Sequence, residues 1–237
     1  MEAVAVNRAA LYGVVLMFSS LFSSASQARG LDYDAMVEHS FNLSGTVVDL
    51  SLPGGLDKAF RVKPGLYSLN VYDNEKYRDN YYQPALLERH WDYRGYFWQG
   101  EAGRFAMMRM VLSLSRLPEP GTLNVTTDTG EFEKVVVQRI RSEHEEDVGL
   151  EYPIAISCDT RTVDGHLVLS CIKKDVSPFW AEDVFAYVYV PVFDSLFLTF
   201  SFKVSPLGND KSENRAKWHP QSLEDIDKII GSVRISK

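Results

Sequence analysis

The chain holds only two cysteines, no Cys-x-x-Cys, no run of basic residues and no apolar stretch of the length a bilayer requires. The missing Cys-x-x-Cys excludes dithiol redox chemistry and the common zinc ribbons. No Gly-x-Ser-x-Gly is present, so the nucleophile elbow of serine hydrolases is excluded. Five histidines, His39, His90, His144, His166 and His219, show neither His-Glu-x-x-His nor another short ligand spacing. No metal and no cofactor is therefore expected. The formal net charge of −7, with no basic block, argues against nucleic acid and against anionic lipid as partners. Internal repeats and low-complexity segments are absent as well.

What is present begins at the N-terminus. Arg8 precedes an apolar run over 9–22, and Ser26 and Ala28 supply the two small residues that a signal peptidase reads. The run is shorter than the roughly 20 residues of a spanning helix, and Ser19 and Ser20 interrupt it. The expectation is a cleaved signal peptide over 1–28 and a single domain over 29–237, with a conceivable sub-boundary near 117–130. No cysteine lies near the cleavage site to carry a lipid, so no membrane insertion is expected after cleavage. A bacterial source would make the protein periplasmic. In a eukaryotic secretory pathway Asn42-Leu43-Ser44 and Asn124-Val125-Thr126 would be glycosylation acceptors.

An exported chain meets oxidising conditions, which gives the spacing of its two cysteines a meaning. Between Cys158 and Cys171 lie β-branched and apolar residues around a central Asp164-Gly165. Asp-Gly favours the type I′ hairpin loop, because both central residues need positive φ. Centring the turn there pairs Val163 with His166, Thr162 with Leu167, Thr160 with Leu169 and Cys158 with Cys171. The cysteines then fall at a non-hydrogen-bonded pair, where opposed Cα atoms approach most closely. A disulfide is predicted, stabilising the chain by roughly 3 kcal/mol.

Elsewhere the apolar pattern is mostly that of strands. Alternation over 41–52 puts Thr46, Val48, Leu50 and Leu52 on one face, ending at Pro53-Gly54-Gly55. A short strand over 66–72 follows, then a helix within 74–92, where Leu86, Leu87, His90 and Trp91 recur at helical spacing. Strands are expected over 104–115, 184–192 and 196–204, and a short extended piece over 122–126. From Glu131, the recurrence of Phe132, Val135, Val136 and Ile140 predicts a helix capped by Asp128 or Thr129, although Val135-Val136-Val137 also suits a strand. Its polar end, 143–147, reads as a solvated face or loop. A polar loop over 206–220 leads to a last helix with Ser222 and Asp225 in a capping-box pattern, then to an edge strand at 233–235. The class is α+β: a largely antiparallel sheet with a disulfide-stapled hairpin and helices packed on one face.

Aromatic residues cluster between Tyr67 and Trp98, interleaved with Arg78, Arg89 and Arg94. Rigid amphipathic rings beside arginine make up the composition of a protein-recognition hot spot. They also stack on sugars, or pack between helix and sheet. The partner-binding candidates are Tyr81, Tyr82, Arg89, Trp91, Tyr93, Trp98, Lys217 and Trp218, the last two from the long polar loop.

The C-terminal pattern, Phe200-Ser201-Phe202, a polar loop with Trp218, then Ile226-Asp227-Lys228-Ile229-Ile230-Gly231-Ser232-Val233-Arg234, resembles the ending of PsbP/DcrB-like domains and of periplasmic immunity proteins of type VI secretion effectors. The resemblance covers about the last forty residues. It implies a noncatalytic protein that binds a secreted toxin one to one and covers its active site. Two other classes fit the residues: a periplasmic hydrolase whose carboxylates or Ser/His pair meet only in the fold, and a glycan-binding or envelope-assembly module.

Overall fold

The computed structural model describes residues 31–54, 66–69, 85–94, 103–117, 123–175, 182–193, 195–207 and 211–236; for 66–69, 175 and 211–217 the description is of the backbone. The segment expected as a signal peptide, the helical expectation over 74–84 and the centre of the conceivable sub-boundary lie outside them.

Ten strands and two helices are described. They are β1 (Asp32–Leu43), β2 (Thr46–Gly54), β3 (Leu66–Leu69), β4 (Ala85–Arg94), β5 (Arg104–Arg116), α1 (Thr129–Val148), β6 (Ile154–Val163), β7 (His166–Asp175), β8 (Val184–Pro191), β9 (Leu196–Pro206), α2 (Lys211–Gly231) and β10 (Arg234–Ser236). They form a six-stranded sheet of order β4-β5-β9-β8-β7-β6 and a four-stranded sheet of order β10-β2-β1-β3. The pairing of β1 with β3 is parallel. All other pairings are antiparallel. The fold is therefore α+β and largely antiparallel.

Strand alternation sorts the six-stranded sheet into two faces. On one, Met108, Met110, Leu112, Phe200 and Phe202 pack with Val48, Leu50 and Leu52 of β2 and with Trp218, Ile226, Ile229 and Ile230 of α2. On the other, Leu169, Cys171, Tyr189 and Phe197 receive Phe132, Val136 and Ile140 of α1. The helices thus divide between the two faces rather than sharing one. The residue spacing of a strand and a helix fixes which side chains share a face, but not which face of a distant sheet they meet.

Local chemistry accounts for the turns. Ser44 and Gly45 both have positive φ, 54° and 99°, and the Gly45 N–H donates to Asn42 Oδ1 at 2.8 Å. This hairpin divides what alternation alone reads as one strand over 41–52. At Asp164 and Gly165, φ is 49° and 78°, and the register is the one the sequence predicts, including Cys158 opposite Cys171. Those two residues form the disulfide, with their Cα atoms 4.1 Å apart.

Two segments depart from expectation. The helix expected to run to Asp92 gives way at 85–94 to strand β4, paired with β5 from Ala85↔Ser113 to Arg94↔Arg104. Leu87, Trp91 and Tyr93 are buried at strand period, and the long-range pairing overrides a local helical spacing. In the second, the polar stretch expected to be a loop is the first half of α2, which runs through Pro220. Ser222 is therefore internal, its Oγ donating to the His219 carbonyl at 2.8 Å, and Asp225 is no capping partner. Trp218 carries the apolar face of Ile226 and Ile229 two further turns and is fully buried, which offsets the cost of a proline inside a helix.

Around α1 the correction is smaller. Asp128 occupies the N-cap position, but its carboxylate accepts from the Asn124 N–H at 3.1 Å instead of capping the helix. A turn at 125–127 replaces most of the extended piece expected over 122–126. The polar end at 143–147 is helical, and His144 on it is buried.

Candidate functional site

Four of the candidate binding residues lie at or near the seam where β4 and α2 meet the four-stranded sheet. Trp91 is buried and donates from Nε1 to the Pro53 carbonyl at 3.0 Å. Tyr93 is fully buried, and its hydroxyl donates to Asp225 Oδ2 at 3.0 Å. Trp218 is sealed in the same core, with an indole Nε1 that has no hydrogen-bond partner among the described residues. Arg89 is half-buried, with Nη2 3.2 Å from Nε2 of His39. Trp91, Tyr93 and Trp218 are thus core groups, withdrawn from any surface a partner could touch. Tyr81, Tyr82, Trp98 and the side chain of Lys217 lie outside the described residues.

Asp225 is the chemical centre of this seam. Its Oδ1 accepts from the Tyr33 hydroxyl at 2.9 Å and from Gln221 Nε2 at 3.1 Å, while Oδ2 takes the Tyr93 hydroxyl. Burial pushes the carboxyl above its ordinary range although three donors oppose the shift. Both tyrosines are driven upward, first by burial and then by the Asp225 charge, so each remains a donor. Every oxygen of the carboxylate is engaged by its own chain, tying α2 to β1 and β4. Burial likewise lowers His39 from 6.5 to about 4, with the Arg89 charge adding to it. Its neutral Nε2 accepts from the guanidinium. The seam is thus a satisfied polar network inside a core.

Charge on the open part of the opposite sheet face is also paired internally. Arg109 meets Glu88 at 2.5 Å, Arg104 and Arg94 meet Asp92 at 2.6 and 2.9 Å, and Lys203 meets Asp183 at 3.1 Å. Lys173 stands 4.2 Å from the centre of the Phe185 ring. Glu88 and Asp92 are held below the usual carboxylate range because their arginine partners outweigh burial.

The C-terminal end of α1 is different. Gly149, with φ of 90°, ends the helix, and its N–H donates to the Glu145 carbonyl at 3.0 Å. Leu150, just beyond it, is 81 % exposed. A cavity of about 200 Å³ opens beside it, lined by Arg141, His144, Glu145, Leu150, Tyr152 and Ile154 among others. His144 Nε2 lies 2.7 Å from the Tyr152 carbonyl and so carries the proton, fixing the connection from α1 to β6. Glu143 is paired with Arg139 at 2.8 Å, whereas Glu145, Glu146 and Asp147 are exposed without an ion pair among the described residues. No basic residue occupies this last turn. Acids there oppose the helix dipole at a cost of about 0.3–1 kcal/mol each. Composition alone hides this site, since 143–147 reads as an ordinary solvated run.

Among the described residues no group of three or more His, Cys, Asp or Glu side chains is placed to hold a metal ion, and no helix is long and apolar enough to cross a membrane. The chain matches no protein-family model and no curated protein.

Proposed function

We propose that this chain is an exported binding protein, an immunity protein that neutralises a periplasm-acting toxin by direct binding and occlusion of its active site. The observation that carries the binding role is the exposed Leu150 beside a cavity, next to the acidic last turn of α1. An apolar anchor next to unpaired carboxylates suits a basic partner surface: the leucine supplies desolvated area, and the acids supply register and on-rate. Those same acids disfavour the helix they end, so folding does not explain them. The Cys158–Cys171 disulfide supports an oxidising destination. The toxin class comes from the C-terminal resemblance.

Coexpression with a secreted toxin encoded beside it should rescue cells when that toxin is directed to the periplasm. Leu150→Asp combined with Glu146→Gln should weaken the complex by roughly a hundredfold or more, with the fold retained in a thermal melt. Absence of any neighbouring toxin gene together with absence of a stable complex would remove the reading.

A further inference from the structure

The six-stranded sheet ends in two very different edges. At one end, β4 packs one face on the four-stranded sheet, through Trp91 to Pro53 and Arg89 to His39. At the other, β6 is a ten-residue terminal strand with Ala155, Ser157, Asp159, Thr160 and Thr162 all exposed. β6 contains no lysine, proline or glycine, the residues that commonly blunt a sheet edge. The disulfide to β7 holds this edge extended. The remaining end strands, β3 and β10, are only four and three residues long.

The hairpin register decides which backbone groups of β6 face outward. Val163 and His166 flank a two-residue turn and are a hydrogen-bonded pair, so hydrogen-bonded and non-hydrogen-bonded pairs alternate from there. Thr162, Thr160 and Cys158 fall at non-hydrogen-bonded positions and point their N–H and C=O groups away from β7. Asp159 and Arg161 lie between them, with side chains on the face shared with α2. Arg161 Nη1 binds Asp227 of α2 at 2.8 Å, but its Nε and Nη2 have no acceptor among the described residues. Asp159 is exposed and makes no ion pair among the described residues.

We infer that β6 pairs with β6 of a second copy of this chain, antiparallel about a two-fold axis through Thr160, joining two six-stranded sheets into one. In that register Thr160 faces its own copy and Cys158 faces Thr162, each as a hydrogen-bonded pair. Asp159 then faces Arg161 of the other copy, and Arg161 faces the other copy's Asp159. One self-complementary patch thus makes two opposite-charge pairs, as an isologous interface requires. Moving the register by one step in either direction that keeps backbone bonding puts Asp159 opposite Asp159, or Arg161 opposite Arg161. Charge therefore selects a single alignment. Pairing asks the guanidinium to turn from Asp227, an exposed partner in a surface ion pair that contributes little to stability.

The test is a charge swap on the disulfide-bonded protein, read by sedimentation equilibrium up to about 100 µM. A dimer in the micromolar range is expected. Asp159→Arg and Arg161→Asp, each alone, place like charges opposite each other and should weaken it tenfold or more. Equimolar mixing of these two single variants should restore a heterodimer, since each supplies the charges the other lacks, and D159R/R161D in one chain should dimerise again. Circular dichroism melts identify a variant that fails to fold, and the other single variant and the double variant then carry the test. A wild type monomeric at 100 µM overturns the inference. So does a dimer indifferent to both single variants, or single variants that stay apart on mixing.

Discussion

The two faces of the six-stranded sheet are built on different principles. Beneath α2 and the four-stranded sheet, apolar side chains from β1, β2, β4, β5, β8, β9 and α2 make one continuous core, with the Asp225 network at its margin. Beneath α1 the core is smaller, a triad of rings in edge contact: Phe132 lies 5.0 Å from Phe197 and 6.2 Å from Tyr189. The second face depends on the hairpin at the sheet's edge, and that hairpin carries the disulfide. A covalent bond placed where burial is thin supplies what a large core supplies elsewhere.

The largest effect should come from the thicker face. Trp218→Ala should cost about 3–5 kcal/mol in urea denaturation, because the enclosed site cannot collapse around the void. Trp218→Phe should cost far less than Trp218→Ala, since it also removes an indole donor that has no partner among the described residues. Phe132→Ala should fall toward the lower end of the same range, as α1 can settle onto the sheet. Equal losses for Phe132→Ala and Trp218→Ala would erase the contrast between the faces.

Next in size is the disulfide. Replacing both cysteines by serine should cost about 3 kcal/mol. Hydrogen exchange should then quicken first in β6 and β7, while β5 and β9 keep their protection. Uniform acceleration across the sheet would mean that the edge is not the weaker unit.

The smallest effect is pH dependence within the α2 side. His39 titrates at about 4 in the fold against an ordinary 6.5, so between these values the unfolded chain holds a proton that the fold excludes. Stability should therefore fall as pH drops through that window. Asp225 acts with the opposite sign: its raised pKa is a cost at neutral pH that is relieved on acidification. His39→Gln, which keeps an acceptor for Arg89, should remove the decline, and Asp225→Asn should steepen it by removing the compensation. Urea midpoints at pH 7 and pH 5 distinguish these outcomes.

Much of this architecture was legible where a short-range rule applied. Asp164-Gly165 set a turn, the turn set the register, and the register brought two cysteines together. The alternation of Ala106, Met108, Met110, Leu112 and Leu114 gave β5 and its buried face. The candidate site was far less legible. Trp91, Tyr93 and Trp218 have the composition of a recognition surface, but aromatic rings serve a core equally well, and only their neighbours decide. A signal for α2 did exist: Trp218 extends the spacing of Ile226 and Ile229 across Pro220, which local breaker rules treat as a boundary. Leu150 carried no local sign of exposure.

By itself the sequence determined the Asp164-Gly165 hairpin, the buried face of β5 and the sulfur pairing, because each follows from turn geometry and from a side-chain period of two. Tertiary structure decided that 85–94 is a strand, that α1 and α2 cover opposite faces, and that Asp225 lies between two tyrosines. Those outcomes depend on which surfaces meet beyond any local window, from the pairing of β4 with β5 to the Tyr93–Asp225 bond with its separation of 132. Contacts at that range form by excluding water from whole faces at once, a free energy that no local window contains.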